Sequence, residues 1–316
     1  MCAEEKSKGN SFFTYLSDSV DSLASCCRLR NEMNENTFSY SLGAGGVSTG
    51  SINVITVNMN RLVQIGASLE ETITKIHKYQ VAYRKVMEDY LNAKMLIAYD
   101  AGFISMDKQF LTIGINGMVE AAEYLGMTPN NNDEYKSFVA SKLKTIFDMN
   151  REATKTYGYK FNTEFVPAEN LGVKNFMWDK KSGLKTFRPC YNSYFYPVED
   201  KNISPIDKII LHGKDIIQYC DGGSALHLNL EEYLTKDAYI KLFDACAKAG
   251  CNYFTTNVKV TICNICEHID KRTLSKCSNC GSTDIDYATR IIGYLKRVSA
   301  FSHDRQIEEK NRYYTK

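Results

Sequence analysis

The 316 residues are 44% hydrophobic, enough for one large or two ordinary globular domains with a sizeable core. Lys and Arg number 39 against 37 Asp and Glu, so the net charge of +2 gives no support for sequence-independent binding of nucleic acid or of an acidic membrane. No apolar run approaches the ~18 residues needed to cross a bilayer, and the N-terminal MCAEEKSKGN lacks the apolar stretch of a secretory signal, which points to a cytosolic protein.

The eleven cysteines fall into three groups. Four form a metal-ligand pattern, Cys26 and Cys27 are a vicinal pair, and Cys2, Cys190, Cys220, Cys246 and Cys251 are scattered. In a reducing compartment such thiols stay reduced. The scattered five read as small apolar packing residues.

Along the chain, residues 12 to 24 set Phe12, Leu16, Val20 and Leu23 at helical spacing, so a helix is expected to give way to a loop at Cys26 and Cys27. The Gly- and Ser-rich stretch 41 to 51 follows, and NVITVN (53 to 58) reads as a buried strand. Ser68 and Glu71 have capping-box spacing for a long helix to about residue 98, with Leu69, Ile73, Ile76, Tyr83, Val86, Tyr90 and Leu91 as its apolar stripe. Residues 110 to 126 read as a short strand, a turn at Asn116 and Gly117, and a helix containing Glu120. A second long helix is expected from Asp133 to Lys155, then strands at 160 to 166 and 193 to 198, with Pro167 and Pro189 ending segments. Helical sequence returns at 229 to 249, where Gly250 is placed as a cap, and the strand 253 to 262 leads into Cys263. Strands alternating with long helices predict an α/β fold with a mainly parallel sheet.

CNICEHIDKRTLSKCSNC places Cys263, Cys266, Cys277 and Cys280 as C-x2-C-x10-C-x2-C, two knuckles that together supply a tetrahedral thiolate set for zinc. Four thiolates leave no open position, so such an ion holds structure and does no chemistry. His268 lies nearby, but the tetrahedron is complete without it. The same spacing also serves iron–sulfur clusters and thiol exchange. Thirteen residues past Cys280, Gly293 interrupts the apolar run TRIIGYLKRVSAF, where composition alone predicts a bulge or a close backbone contact.

RIIGYL just after a four-cysteine site resembles the glycyl-radical segment of the class III, anaerobic ribonucleoside-triphosphate reductases, whose motif is an Arg, two small or apolar residues and then Gly-Tyr-Leu. DSLASCCRLRNE (21 to 32) is similar to that family's thiyl loop, in which a Cys precedes an Arg. GSINVITVNMNRL (50 to 62) resembles the strand whose Asn faces substrate, and LTIGINGMVEAAEYLG (111 to 126) a segment that in many members carries a Glu. These stretches occur in the family's order over nearly the whole chain. Relatives of pyruvate formate-lyase, which also carry a glycyl radical, lack the zinc site beside the glycine.

The resemblance implies the second half of a ten-stranded α/β barrel of the glycyl radical enzyme type: residues 1–252 as a partial barrel with the thiyl finger loop, 253–316 as a zinc ribbon with the radical loop. Complete members are about twice this long, so the chain is expected to be a C-terminal portion, either one chain of a split enzyme or a truncated product, that needs an N-terminal half, the complete enzyme being a homodimer. Gly293 would store the radical, which an activase generates by splitting S-adenosylmethionine at an iron–sulfur cluster; a glycine radical, with no Cβ, can flatten between its flanking amides. Cys27, or Cys26 beside it, would form the thiyl. Arg28, Asn58 and Asn53 would orient a ribonucleoside triphosphate, and Glu120 would handle a proton if formate is the reductant. A thioredoxin-like protein is the other reductant the family uses. The zinc would hold the radical loop and let it be released to the activase. The rival reading is a non-catalytic zinc-ribbon remnant that binds or regulates a full-length reductase.

Overall fold

Two runs of parallel strands, each backed by helices, carry most of the chain. The computed structural model describes residues 1–16, 22–24, 30–32, 50–166, 170–290 and 295–315, with backbone alone for 22–24 and 30–32. Helix α1 (Cys2–Ser7) is followed by the short strands β1 (Thr14–Tyr15), β2 (Ser22–Ala24) and β3 (Arg30–Glu32). Strand β4 (Gly50–Asn58) runs directly into α2 (Met59–Gln64), then α3 (Leu69–Asn92) and α4 (Ile97–Asp100). Strand β5 (Gln109–Asn116), α5 (Met118–Tyr124), α6 (Asp133–Tyr157) and β6 (Lys160–Phe165) complete the first run. The second comprises α7 (Leu171–Lys181), α8 (Pro205–Leu211), α9 (Lys214–Ile217), β7 (Leu226–Leu230), α10 (Lys236–Ala249) and β8 (Tyr253–Val258). A terminal unit holds β9 (Val260–Cys263), β10 (Ile269–Asp270), β11 (Ile285–Thr289), β12 (Lys296–Arg297) and α11 (His303–Asn311).

Local chemistry sets the element ends. The Ser68 hydroxyl accepts from the Glu71 amide to open α3, and Asn132 does the same for Tyr135 at the start of α6. Gly117, at φ 75°, makes the left-handed turn from β5 into α5 that the sequence predicts. The long helix stops at Asn92, short of the expected residue 98, because Lys94 turns left-handed at φ 59°. Gly250 caps α10 as expected.

Three expectations are overturned. No helix spans 12 to 24: Thr14 and Tyr15 pair antiparallel with Phe254 and Tyr253, and β2 pairs antiparallel with β3. The helical spacing of four apolar residues loses there to strand partners available only in the fold. Residues 193 to 198 form no strand, yet Tyr194, Phe195 and Tyr196 are buried. Their aromatic content answers to core packing, with Tyr196 Oη donating to the His227 carbonyl and the Val198 amide to Asn192. Residues 226–230 are a strand rather than the start of a helix, and Thr235 caps α10 instead.

Strands β4, β5 and β6 form one parallel sheet in that order, and β7 pairs parallel with β8. The two meet where the Gly222 amide donates to the Thr163 carbonyl and the Phe165 amide to Gly223. A Cβ on Gly222 would stand 2.8 Å from the Thr163 oxygen, so only glycine permits that approach. One face of the array packs on the helices: Ile113, Ile115, Phe165, Leu226, Leu228 and Phe254 join Ile73, Val139, Leu143 and Ile146 in the main core. Each such side chain contributes roughly 1.5–3 kcal/mol by burial.

The opposite face is polar. In strand register it carries Thr112, Asn116, Asn162 and Glu164, then His227, Asn229, Thr255 and Asn257, all buried. A parallel sheet buried on both faces is ordinarily apolar throughout. A buried polar face requires hydrogen-bond partners, and marks the side of the sheet on which chemistry is to be sought.

Candidate functional site

The four-cysteine centre sits at the end of β9. The Sγ atoms of Cys263, Cys266, Cys277 and Cys280 all lie within 4.8 Å of one another, and the pairs Cys263–Cys280 and Cys266–Cys277 are 3.6 Å apart. Sulfurs bound at ~2.3 Å around a tetrahedral ion stand about 3.8 Å apart, so this set fits a metal such as zinc. Both knuckles point backbone amides at sulfur: Ile265 and Cys266 at Cys263, Asn279 and Cys280 at Cys277. His268 stands outside the cluster, and its carbonyl accepts from the Cys263 amide.

Electrostatics make the same demand. The Asn279 side-chain amide and the His268 backbone bring the Cys266 thiol down to about 6, and the Cys280 amide lowers Cys277. At Cys280 the Ser282 amide pulls downward, but the neighbouring thiols outweigh it and push the group up to about 12. Four thiolates at this spacing repel one another, and a bound dication removes the conflict.

The centre is joined to the segment carrying Gly293 through the ribbon sheet β10-β9-β11-β12. Strand β9 ends on Cys263 and pairs with β11, which pairs with β12 through Ala288 with Arg297 and Thr289 with Lys296. Residues 290–295 therefore connect two paired strands. Gly293 itself lies outside the described residues, as do Cys26, Cys27 and Arg28, which fall between the paired strands β2 and β3.

Asn58 ends β4 on the polar face, opposite Asn116. Its Oδ1 accepts from the Arg61 amide at 3.2 Å as the cap of α2, and its Nδ2 donates to Asp179 Oδ2 at 3.0 Å. The fully buried Asp179 also accepts from Asn60 Nδ2, Tyr191 Oη and Arg61 Nε. Asn53, by contrast, pairs with Leu111 after an irregularity in β4, which puts it on the helix-facing side. The structure thus separates the two asparagines.

Glu120, on α5, is fully buried rather than solvated. Its Oε1 accepts from Arg188 Nη1 at 2.6 Å and from the Asn192 amide at 2.9 Å. Burial pushes its pKa up, against the pull of Arg188 and of the Asn192 amide. Arg188 is shared, reaching Glu123 at 2.7 Å and Glu199 at 2.9 Å. Consecutive residues then link the two candidates: Tyr191 reaches Asn58 through Asp179, and Asn192 binds Glu120.

Asp179, Tyr191 and Arg188, which hold this arrangement, escaped the sequence reading. Their partners lie up to 131 residues away, and no spacing signals such a contact.

No protein among the curated sequences matches this chain. Solved structures do. An anaerobic ribonucleotide reductase aligns at 28% identity with a TM-score of 0.80, covering 96% of this chain and 49% of that one. The Thermotoga maritima anaerobic ribonucleotide reductase with glycerol in its active site aligns at 30% identity and TM-score 0.78, covering 94% and 50%. The same enzyme in complex with dATP and CTP gives 29%, 0.77, 94% and 50%. The chain spans about half the length of these reductases. The sequence pattern described as "Anaerobic ribonucleoside-triphosphate reductase" matches residues 1–314, so the chain belongs to the anaerobic ribonucleoside-triphosphate reductase family.

Proposed function

We propose that this chain is the radical-bearing portion of an anaerobic ribonucleotide reductase, which reduces ribonucleoside triphosphates to deoxyribonucleoside triphosphates together with a complementary N-terminal half. The observation that carries the reading is the family match over residues 1–314 of a chain half the length of its solved relatives. The polar face supports it, since the apolar Val54, in register with Thr112 on that face, is 43% exposed. A second half closing a ten-stranded barrel would cover that face.

In this reading, zinc at the four cysteines supplies no chemistry and holds β9 to β11. An S-adenosylmethionine-dependent iron–sulfur activase removes a Cα hydrogen from Gly293. The Gly293 radical then takes hydrogen from the Cys27 thiol, with Cys26 as the alternative donor. The thiyl takes the 3′ hydrogen of the ribose, and the 2′ hydroxyl leaves as water. Arg28 and Asn58 orient substrate; Asn53, on the helix side, would act only indirectly. Formate with Glu120, or a thioredoxin-like protein, supplies the electrons, and the complete enzyme is a homodimer.

The test combines the chain with its complementary half, the activase, S-adenosylmethionine and a reductant without oxygen, and reads a glycyl doublet by electron paramagnetic resonance. Air should then cleave the activated chain at Gly293, releasing about two dozen C-terminal residues. No doublet, with Gly293→Ala indistinguishable from wild type, would leave the chain a non-catalytic ribbon protein.

A further inference from the structure

Arg290 stands three residues before Gly293 and just past the end of β11, yet its backbone amide and carbonyl are both hydrogen-bonded. The buried Asn257 side chain bonds both of its backbone groups: Oδ1 accepts from the Arg290 amide at 2.9 Å, and Nδ2 donates to the Arg290 carbonyl at 2.7 Å. The buried Arg312 donates from Nη1 to the same carbonyl at 2.9 Å. These anchors are themselves fixed. Asn257 donates to Asn229 Oδ1 at 3.0 Å, and Arg312 donates to Glu308 at 2.6 Å.

The Arg290 side chain reaches in another direction. Its Nε donates to Ser11 Oγ at 3.1 Å, its Nη2 to the Ser11 carbonyl at 2.9 Å, and its guanidinium lies 5.3 Å from the Phe13 ring centroid. Ser11 and Phe13 precede β1, on the stretch of chain that continues to Cys26 and Cys27. The ribbon sheet needs none of these bonds, because its last β11 pair is Thr289 with Lys296.

We infer that Arg290 is a positioning residue that ties the chain entering Gly293 to the chain leading to Cys27. Its backbone is set by Asn257 and Arg312, and its side chain by Ser11 and Phe13. Gly293 can stand at most about 11 Å from the Arg290 Cα, given ~3.3–3.6 Å per residue. Reacting atoms must come within ~3–3.5 Å. Fixing Arg290 therefore removes much of the search. The consequence for catalysis rests on the radical reading above; the anchor itself does not.

Two measurements test it. In the full chain without partners, Asn257→Ala should speed hydrogen exchange at the Arg290 amide about tenfold, since a buried hydrogen bond is lost, and Arg290→Ala should speed exchange over residues 11–16, zinc content being unchanged in both. Wild-type exchange in these variants overturns the anchor. In the reconstituted enzyme, Arg290→Ala should lower turnover per glycyl radical, counted from the doublet, tenfold or more, with Arg290→Lys, which retains charge and reach, in between. Turnover that stays at the wild-type level, or that falls only in proportion to the doublet, overturns the positioning role. If wild type gives no doublet at all, the radical reading fails and takes the positioning role with it, and exchange alone still decides the anchor.

Discussion

Asn58 donates its side-chain amide to the Asp179 carboxylate at 3.0 Å, tying the end of β4 to α7. Asp179 collects three further donors, from Asn60, Arg61 and Tyr191, so one buried charge organises the strand end, the following helix and the segment that binds Glu120.

Removing that charge should be severe. Asp179→Ala leaves four donors without their acceptor and is expected to cost about 3–5 kcal/mol in urea unfolding. Asn58→Ala, which removes a cap and one of the four bonds, should cost about 1–2 kcal/mol. The double variant should cost clearly less than the sum, because the two act on one network; full additivity would show that they do not.

Glu120 and Arg188 form an unequal pair. Glu120→Gln keeps an acceptor for the Asn192 amide and leaves Arg188 with Glu123 and Glu199, so about 1–2 kcal/mol of stability should be lost. Arg188→Met strands three carboxylates, one of them fully buried, and should cost about 3–5 kcal/mol. Equal losses from the two variants would contradict this account.

Lys208 offers a pH test. It is 1% exposed, with Nζ 5.1 Å from the Tyr196 ring centroid, and burial brings its pKa down to about 8, aided by Arg312 and opposed by Asp200. The unfolded chain keeps that proton up to about 10.5, so between these values it binds more protons than the native state and stability rises with pH. Below pH 8 the cost of the buried charge is present in full. Lys208→Met should therefore stabilise the protein at pH 7 by roughly 1–3 kcal/mol, a gain that fades towards pH 10.5. Denaturation midpoints across that range read the effect directly.

Loss of the metal should be felt locally first. Cys263→Ser or Cys280→Ser is expected to abolish metal binding, measured as zinc per chain, and to raise hydrogen exchange through β9 and β11 while β5 and β6 stay protected. Radical formation should be lost with it. A zinc-free chain that still forms the doublet would refute the link between the cysteine centre and Gly293.

For the thiyl residue, Cys27→Ser should leave the doublet but abolish turnover, while Cys26→Ser should retain turnover. The reverse pattern would move the role to Cys26.

The sequence by itself determined the local facts. C-x2-C twice over places four sulfurs wherever the chain goes, because each knuckle closes within four residues. Ser68, Gly117 and Gly250 marked turns and helix ends because capping acts over a few residues. The resemblance of RIIGYL and its companion stretches named the family, since short ordered motifs survive in one dimension. Only the tertiary structure decided what depends on partners far apart in the chain: that Thr14 and Tyr15 are strand rather than helix, that Asn58 faces the polar side and Asn53 the helices, that Glu120 is buried on Arg188, and that Asn257 holds Arg290. Hydrophobic period and propensity describe a segment's own preference, whereas strand pairing and buried hydrogen bonds are set by which distant groups the fold brings within about 3 Å.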